Sequence, residues 1–110
     1  MIELTLLNYL TSKLSVPVKT EKLSNPSGKI VFFERTGGSG KFIKESTFAI
    51  QSYADSMYDA AELNDQVIEA MYGMDELDEV LSVSLNSTYN FTDTVTKNYR
   101  YQAVFDIQHY

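Results

Sequence analysis

The sequence predicts an α+β fold, a mainly antiparallel sheet of about five strands with two helices packed on one face. Two segments carry apolar residues at helical spacing, and the remaining segments are rich in β-branched and aromatic residues that alternate with period two. Stretches rich in glycine, proline or asparagine separate these segments. The predicted order is helix, three strands, helix, two strands. With 110 residues, 44% of them hydrophobic, we expect a single domain over residues 1–110.

The first helix is predicted from Ile2, Leu6, Leu10 and Leu14, which recur every four residues. Pro17 ends it, and the segment "VPVKTEKL" predicts a short strand near a sheet edge, because proline cannot donate a ladder hydrogen bond. After the turn "SNPSG", the run "KIVFFER" is apolar on both faces. It therefore predicts a central strand that is covered on each side.

The stretch "ERTGGSGKFI" invites a nucleotide-binding interpretation. A P-loop requires a glycine five positions before its Gly-Lys pair, Ser or Thr after the lysine, and a helix that starts there. Arg35 stands five positions before Gly40, Phe42 follows Lys41, and the segment "KFIKESTFAIQSY" is strand-like. We therefore interpret Thr36 to Lys41 as a hairpin loop, in which glycine can adopt positive φ.

The second helix is predicted to begin after Asp55, an N-cap candidate, and to end at Gly73. Asn64 interrupts its apolar stripe, and its acidic residues fall on or near the outer side. A methionine at helical spacing indicates core packing rather than a ligand site. The stripe consists of Met57, Ala60, Ala61, Val67, Ile68 and Met71.

The last third of the chain predicts two strands. "LSVSLNSTY" alternates, with Leu81, Val83 and Leu85 on one side, as in a half-buried strand. "YRYQAVFDIQHY" alternates in the same way, and the polar loop "NFTDTVTKN" joins the two segments. The single histidine, His109, is expected at the end of the last strand.

Composition argues against several classes of function. The net charge is −6, and no Lys or Arg occurs between Glu45 and Thr96. Because such an acidic balance repels phosphate backbones, we expect no sequence-specific binding to nucleic acid. With no cysteine and one histidine, the sequence lacks the materials for a thiolate or multi-histidine metal site or a serine triad. The acidic stretch 75–79 lacks the ligand pattern of a calcium loop. We expect no enzymatic activity, cofactor or metal.

Membrane association is also not expected. No apolar stretch approaches the ~20 residues that cross a bilayer, and the N-terminal run "MIELTLLNYL" does not fit a signal peptide.

Three stretches, "FAIQSYADS", "AAELNDQV" and "LNSTYNFTDTVTKNYRYQAVFDI", resemble the small tail completion proteins of long-tailed bacteriophages, also called tail terminators or tail-to-head joining proteins. The resemblance covers nearly the whole chain and is most specific over residues 85–107. It implies a structural virion protein, encoded by a phage or prophage, that forms a hexameric ring at the head-proximal end of the tail tube. The implied partners are other copies of the chain, the tail tube protein and the head connector. The implied location is the virion, and the bacterial host cytoplasm before assembly.

The contact residues of such a ring can be predicted from polar loops and charge. We expect the hairpin loop and the loop Asn90 to Lys97 to touch the tube or the connector, and the cationic side chains to face acidic residues of a neighbouring copy. Ordinary surface loops and a solvated acidic helix face explain the same residues equally simply. The candidates are Arg35, Gly37, Gly38, Lys41, Lys44, Asp59, Glu62, Asp65, Asn90, Asp93, Lys97 and Arg100, with Asp59, Glu62 and Asp65 as the acidic partners of Arg35, Lys41, Lys44 and Arg100.

Two other functions stay open from the sequence. One is a head completion or neck connector protein, which would bind filled heads rather than tail tubes. The other is a small enzyme or nucleotide-binding protein, which would give a saturable calorimetric signal with nucleotides and Mg²⁺.

Overall fold

The computed structural model describes residues 1–22 and 24–110 and has the predicted α+β architecture. The order helix, three strands, helix, two strands is confirmed. A single turn of 3₁₀ helix, Met74–Glu76, precedes the fourth strand. The elements are α1 (Ile2–Lys13), β1 (Val18–Lys19), β2 (Ile30–Ser39), β3 (Lys44–Ala54), α2 (Met57–Tyr72), β4 (Val80–Asn90) and β5 (Tyr99–His109).

The five strands form one mixed sheet in the order β1-β2-β3-β5-β4. β1 runs parallel to β2, and the other three pairs are antiparallel. β1 is shorter than the predicted strand: Val18 and Lys19 pair with β2, and the carbonyl of Pro17 accepts a hydrogen bond of 2.9 Å from the Val31 amide. Leu23, in the same predicted strand, lies outside the described residues.

Both helices pack on one face of the sheet. Within each ladder, the residues that pair share a face, so Phe33, Ile50 and Ala103 point to the helices together. The rings of Phe33 and Phe48 meet edge to face at 5.7 Å. Fully burying one such side chain stabilises the fold by roughly 1.5–3 kcal/mol. The core between the layers contains Leu6, Leu10, Val31, Phe33, Phe48, Ile50, Val67, Met71, Ala103, Phe105 and Ile107.

A buried tyrosine joins the two helices. The Tyr9 hydroxyl donates a hydrogen bond of 2.6 Å to the carbonyl of Ala70. Burial, with the nearby Glu76 and Asp75 carboxylates, raises the pKa of Tyr9, so the hydroxyl keeps its proton and remains a donor. Gly73 ends α2 as predicted, and a Cβ there would lie 2.9 Å from the Tyr9 hydroxyl oxygen.

The predicted N-cap of α2 is wrong by one residue. Ser56 occupies the N-cap, and its side chain accepts a hydrogen bond of 3.1 Å from the Asp59 amide. The carboxylate of Asp55 accepts instead from the Gly28 amide, also at 3.1 Å. β3 continues to Ala54, so Asp55 lies between strand and helix and fixes the neighbouring turn.

β4 does not alternate strictly, contrary to the prediction. Its pairing with β5 shifts between Val80 and Ser82 and again between Leu85 and Ser87. Each shift is a bulge that places one extra residue in β4. Leu81, predicted to point inward, is the extra residue of the first bulge and is 39% exposed, while Val80 is buried in its place.

The predicted hairpin between β2 and β3 is confirmed, with a shorter turn. β2 continues to Ser39 and β3 begins at Lys44, so the turn covers residues 40–43 rather than Thr36 to Lys41. Gly40 has φ +94°, and a Cβ there would lie 2.1 Å from the Ile43 carbonyl oxygen. Only glycine suits this position.

Candidate interaction surfaces

The candidate residues lie towards two opposite ends of a molecule that measures 43 × 24 × 21 Å. At the hairpin end lie the β2–β3 turn, the start of β4 and the end of β5, where Lys44 and Val80 both pair with His109. At the loop end lie the start of α2 and the β4–β5 connection, where Ala54 pairs with Tyr99. The half of the molecule nearer the hairpin end contains Arg35, Gly37, Gly38, Lys41 and Lys44. The half nearer the loop end contains Asp59, Glu62, Asn90, Asp93, Lys97 and Arg100. Asp65 lies in the middle of α2.

At the hairpin end, the outer edge of β2 is bare over residues 34–39. β1 pairs only with Val31 and Phe32, and no other described residue forms a ladder with this edge. A cleft of about 540 Å³ follows it, lined by residues 35–40 together with Lys44 and Ser46. Because no described strand covers this edge, the outward-facing backbone amides and carbonyls of residues 34–39 are accessible to another strand.

The cations at this end differ in how they are held. The Arg35 Nε lies 3.2 Å from the Glu3 Oε2, so this guanidinium already has an acidic partner within its own chain. Lys44 lines a second cleft beside Glu3, which also includes Glu79. Lys41 is exposed, and its Nζ stands 5.7 Å from the ring of Phe42.

The turn also exposes apolar surface. Phe42 is 83% exposed and Ile43 is 56% exposed, although both are large hydrophobic residues. The sequence prediction did not single out either residue.

A buried serine and histidine close this end of the sheet. The Ser46 hydroxyl and the His109 Nε2 are 2.8 Å apart, and the His109 Nδ1 is 3.0 Å from the carbonyl oxygen of Tyr110. A carbonyl only accepts, so the Nδ1 carries a proton, and in the neutral imidazole the Nε2 accepts from Ser46. The bond joins β3 to β5. His109 lies at a strand end, as predicted.

At the loop end, Arg100 holds the β4–β5 connection by its guanidinium. The Nε donates a hydrogen bond of 2.7 Å to the Phe91 carbonyl, and the Nη1 donates one of 2.9 Å to the Tyr53 hydroxyl. The guanidinium carbon also stands 4.5 Å from the centre of the Phe91 ring, within the range of a cation–π contact. Arg100 therefore stabilises its own chain, in addition to any contact with a neighbour.

A row of polar side chains, buried at Tyr53, Gln51 and Gln102 and exposed at Tyr89, continues from this arginine across the face of the sheet away from the helices. The Tyr53 hydroxyl donates to Gln51, the Gln51 amide donates to Gln102, and the Gln102 amide donates to the Tyr89 hydroxyl at 2.9, 2.9 and 2.5 Å. The ring of Tyr89 meets that of Phe91 edge to face at 5.9 Å. The row and the Arg100 contacts form a closed circuit, the Arg100 network, across β3, β5 and β4.

The loop after β4 is ordered by its own polar groups. The Asp93 carboxylate accepts hydrogen bonds from the amides of Val95 and Thr96 at 3.0 and 3.3 Å. A hydrogen bond from the Thr96 side chain, these backbone amides and the charge of Arg100 lower the pKa of Asp93. Lys97 has φ +56°, which turns the chain back towards β5. This predicted contact loop is therefore preformed.

The predicted acidic partners lie on α2, and two of them lie far from the hairpin cations. Asp59 and Glu62 occupy the first two turns of α2, at the loop end. Arg35, Lys41 and Lys44 lie in the opposite half of the sheet. Of the four cations predicted to pair with these acids, Arg35, Lys41, Lys44 and Arg100, the structure thus brings Arg100 alone to the same end as Asp59.

Sequence patterns alone gave no signal for the Arg100 network or the Ser46–His109 bond. Both depend on which strands become neighbours and in which register. Alternation does place Arg100 with Gln102 on one face of β5 and Gln51 with Tyr53 on one face of β3, but it does not show that these two faces are neighbours.

Comparisons with known proteins identify no family. No protein-family model matches the chain, and the search of curated proteins gives no significant match.

In residues 1–22 and 24–110, no group of three histidine, cysteine or acidic residues is placed to hold a metal ion. No helix in this part of the chain is long and apolar enough to cross a membrane.

Proposed function

We propose that this chain is a structural virion protein that caps the head-proximal end of a phage tail tube and joins the tail to the head connector. The sequence resemblance over residues 85–107 supports this assignment, and the proposal includes a ring built from copies of the chain.

One structural observation carries the proposal. Among the described residues, the sheet has two edges without a neighbouring strand, which differ in sequence and lie on opposite sides: β4, and β2 over residues 34–39. A free edge presents unpaired backbone amides and carbonyls that can pair with another strand. Since the two edges differ, one copy can join the next head to tail. A repeated head-to-tail contact closes into a ring when its rotation divides a full turn.

The chemical difference between the two ends of the sheet fits a protein that joins two partners. The loop end presents a preformed polar loop, whereas the hairpin end presents Lys41 beside the exposed Phe42. A cap between a tube and a connector needs two such unlike surfaces.

Electron microscopy of virions tests the proposal. A tag inserted between Thr20 and Glu21, which are exposed and lie outside both predicted contact loops, would be labelled with gold in particles of the phage or prophage that encodes the chain. We expect label at the junction of head and tail. Label along the tube, or virions that assemble normally without the chain, would contradict the proposal. Purified protein that binds filled heads and not tail tubes would favour a head completion protein instead.

A further inference from the structure

We propose that the ring contact is a direct extension of the sheet, in which residues 37–39 of β2 pair antiparallel with residues 82–84 of β4 in the next copy. This inference rests on the proposed function, since it names the partner and the register of the same contact.

Strand directions favour antiparallel pairing. β2 and β4 run in opposite directions, because three antiparallel steps separate them in the sheet. Rotation about an axis parallel to the strands keeps every strand direction. The β2 edge of one copy then meets the β4 edge of its neighbour antiparallel, as in the three ladders already present within the chain.

The same rotation fixes the register. A closed ring has no translation along its axis, so residues at one level of the sheet meet across the contact. The ladders place Gly37, Thr47, Asp106 and Ser84 on one level. Gly37 of one copy thus lies opposite Ser84 of the next, and both belong to the face away from the helices. A shift by one residue would turn every side chain to the other face.

The register shifts in β4 and β2 limit the length of the proposed ladder between copies. β4 is regular between its bulges, over residues 82–85, and β2 is regular after its own register shift, from Gly37 to Ser39. These two regular stretches lie at the same level. A bulge disrupts pairing locally, so the contact is limited to three or four residues. A contact this small is weak in dilute solution, and under the proposed function the tube would hold neighbouring copies together.

Charge supports the same orientation. At the hairpin end, Asp78 and Glu79 precede β4 on one side of the sheet, and Lys41 follows β2 on the other side. The proposed contact brings Lys41 next to Asp78 of the neighbour. Neither residue forms an ion pair within residues 1–22 and 24–110. Between these acids and Asp93 the chain carries no charge, so Glu34 and Arg35 meet no like charge along β4.

Disulfide trapping tests the register, and the natural chain has no cysteine to interfere. The double variant Gly37→Cys/Ser84→Cys places one thiol on each edge. A Cβ at Gly37 meets nothing within 4 Å, and Ser84 is exposed, so both substitutions suit the fold. Opposite residues of an antiparallel pair are ~4.5–5.5 Å apart at Cα, which lies within the range that a disulfide spans.

We expect the oxidised double variant, at high protein concentration, to give a ladder of covalent dimers, trimers and larger species on a non-reducing gel. The single variants and the control Gly37→Cys/Gln66→Cys, whose second thiol lies at an exposed position of α2, should remain monomeric. Gly37→Cys/Ser82→Cys, two residues out of register, should cross-link at least tenfold more slowly. Dimers of either single variant, or equal cross-linking of the matched control, would overturn the inference.

The charge pair provides a second test in the same cysteine background. Lys41→Glu should lower the cross-linking rate severalfold at low salt, and adding Asp78→Lys should restore it. A Lys41→Glu variant that cross-links unchanged would overturn the charge contact. A test of whether the purified chain caps tail tubes separates the two proposals. If the chain caps tubes but the double variant does not cross-link, the strand pairing alone is refuted. If the double variant cross-links but the chain does not cap tubes, the proposed function alone is refuted.

Discussion

The two ends of the sheet are held together by different interactions. At the loop end, side chains hold the backbone in place, because Arg100 and Asp93 form hydrogen bonds to the backbone of the β4–β5 connection. At the hairpin end, the β2–β3 turn projects with exposed side chains and is held by the backbone ladder. A preformed surface loses little entropy on binding, whereas a bare edge gains its hydrogen bonds only from a partner. Under the proposed function, we therefore expect docking by shape at the loop end and strand pairing at the hairpin end.

The largest expected effect comes from the centre of the Arg100 network. Arg100→Met should lower the free energy of unfolding by about 2 kcal/mol, because two charge-assisted hydrogen bonds and a cation–π contact are lost. The matched change at the hairpin end, Arg35→Met, removes a partly exposed ion pair and should cost about 0.5 kcal/mol. Urea unfolding followed by circular dichroism measures both. Equal losses would show that the two ends are not held differently.

A smaller effect is expected at the turn. Gly40→Ala should lower the free energy of unfolding by about 1–2 kcal/mol, because φ is positive and the new Cβ would meet the Ile43 carbonyl. Gly37→Ala has open space and should stay within about 0.5 kcal/mol. Thermal unfolding of the two variants side by side is the measurement, and the reverse order would contradict the described turn.

Phe42→Ala should separate function from stability. The ring is 83% exposed, so its removal should change the free energy of unfolding by less than about 0.5 kcal/mol. Under the proposed function, the loss of this apolar surface should reduce joined heads and tails severalfold, counted by electron microscopy. Leu4→Ala, at an exposed apolar position of α1 outside both predicted contact loops, is the control. If Phe42→Ala left the number of joined heads and tails unchanged, the turn would not be part of the contact surface.

The smallest effect is a pH dependence of the β4–β5 loop. The pKa of Asp93 is lowered in the folded chain. The ionised carboxylate therefore stabilises the folded loop fully above the unfolded pKa of about 3.9, and this stabilisation is lost as pH falls through the folded pKa. We expect the amide signals of Val95 and Thr96 in NMR spectra to shift in that acidic range. Asp93→Asn keeps an accepting oxygen but cannot titrate, so its spectra should lack the transition. A transition that persists in Asp93→Asn would belong to another group.

The sequence was sufficient for the fold wherever local chemistry decides the structure. Period-four and period-two patterns gave the element order, and Gly40 marked the turn because no other residue suits its φ. The bulge at Leu81 was not predictable, since alternation alone makes this leucine point inward. It arises from how β4 meets β5, a contact that local pattern does not encode.

The candidate surface shows the same limit. Loop composition singled out the hairpin and the loop after Asn90, and both are exposed in the structure. The prediction that Lys41 pairs with acidic residues of α2 rested on charge alone and took no account of where each residue lies along the sheet. The structure puts Asp59 at the far end and Asp78 at the same end as Lys41. Only strand order and register could supply that distinction.

A cryo-electron microscopy reconstruction of the tail's head-proximal end is the most direct test of the chain as a cap built through its sheet edges. We predict one ring of this chain at that end, with β2 of each copy beside β4 of the next. A neck layer formed by a different protein, or copies of this chain whose β2 and β4 edges both face solvent, would contradict it.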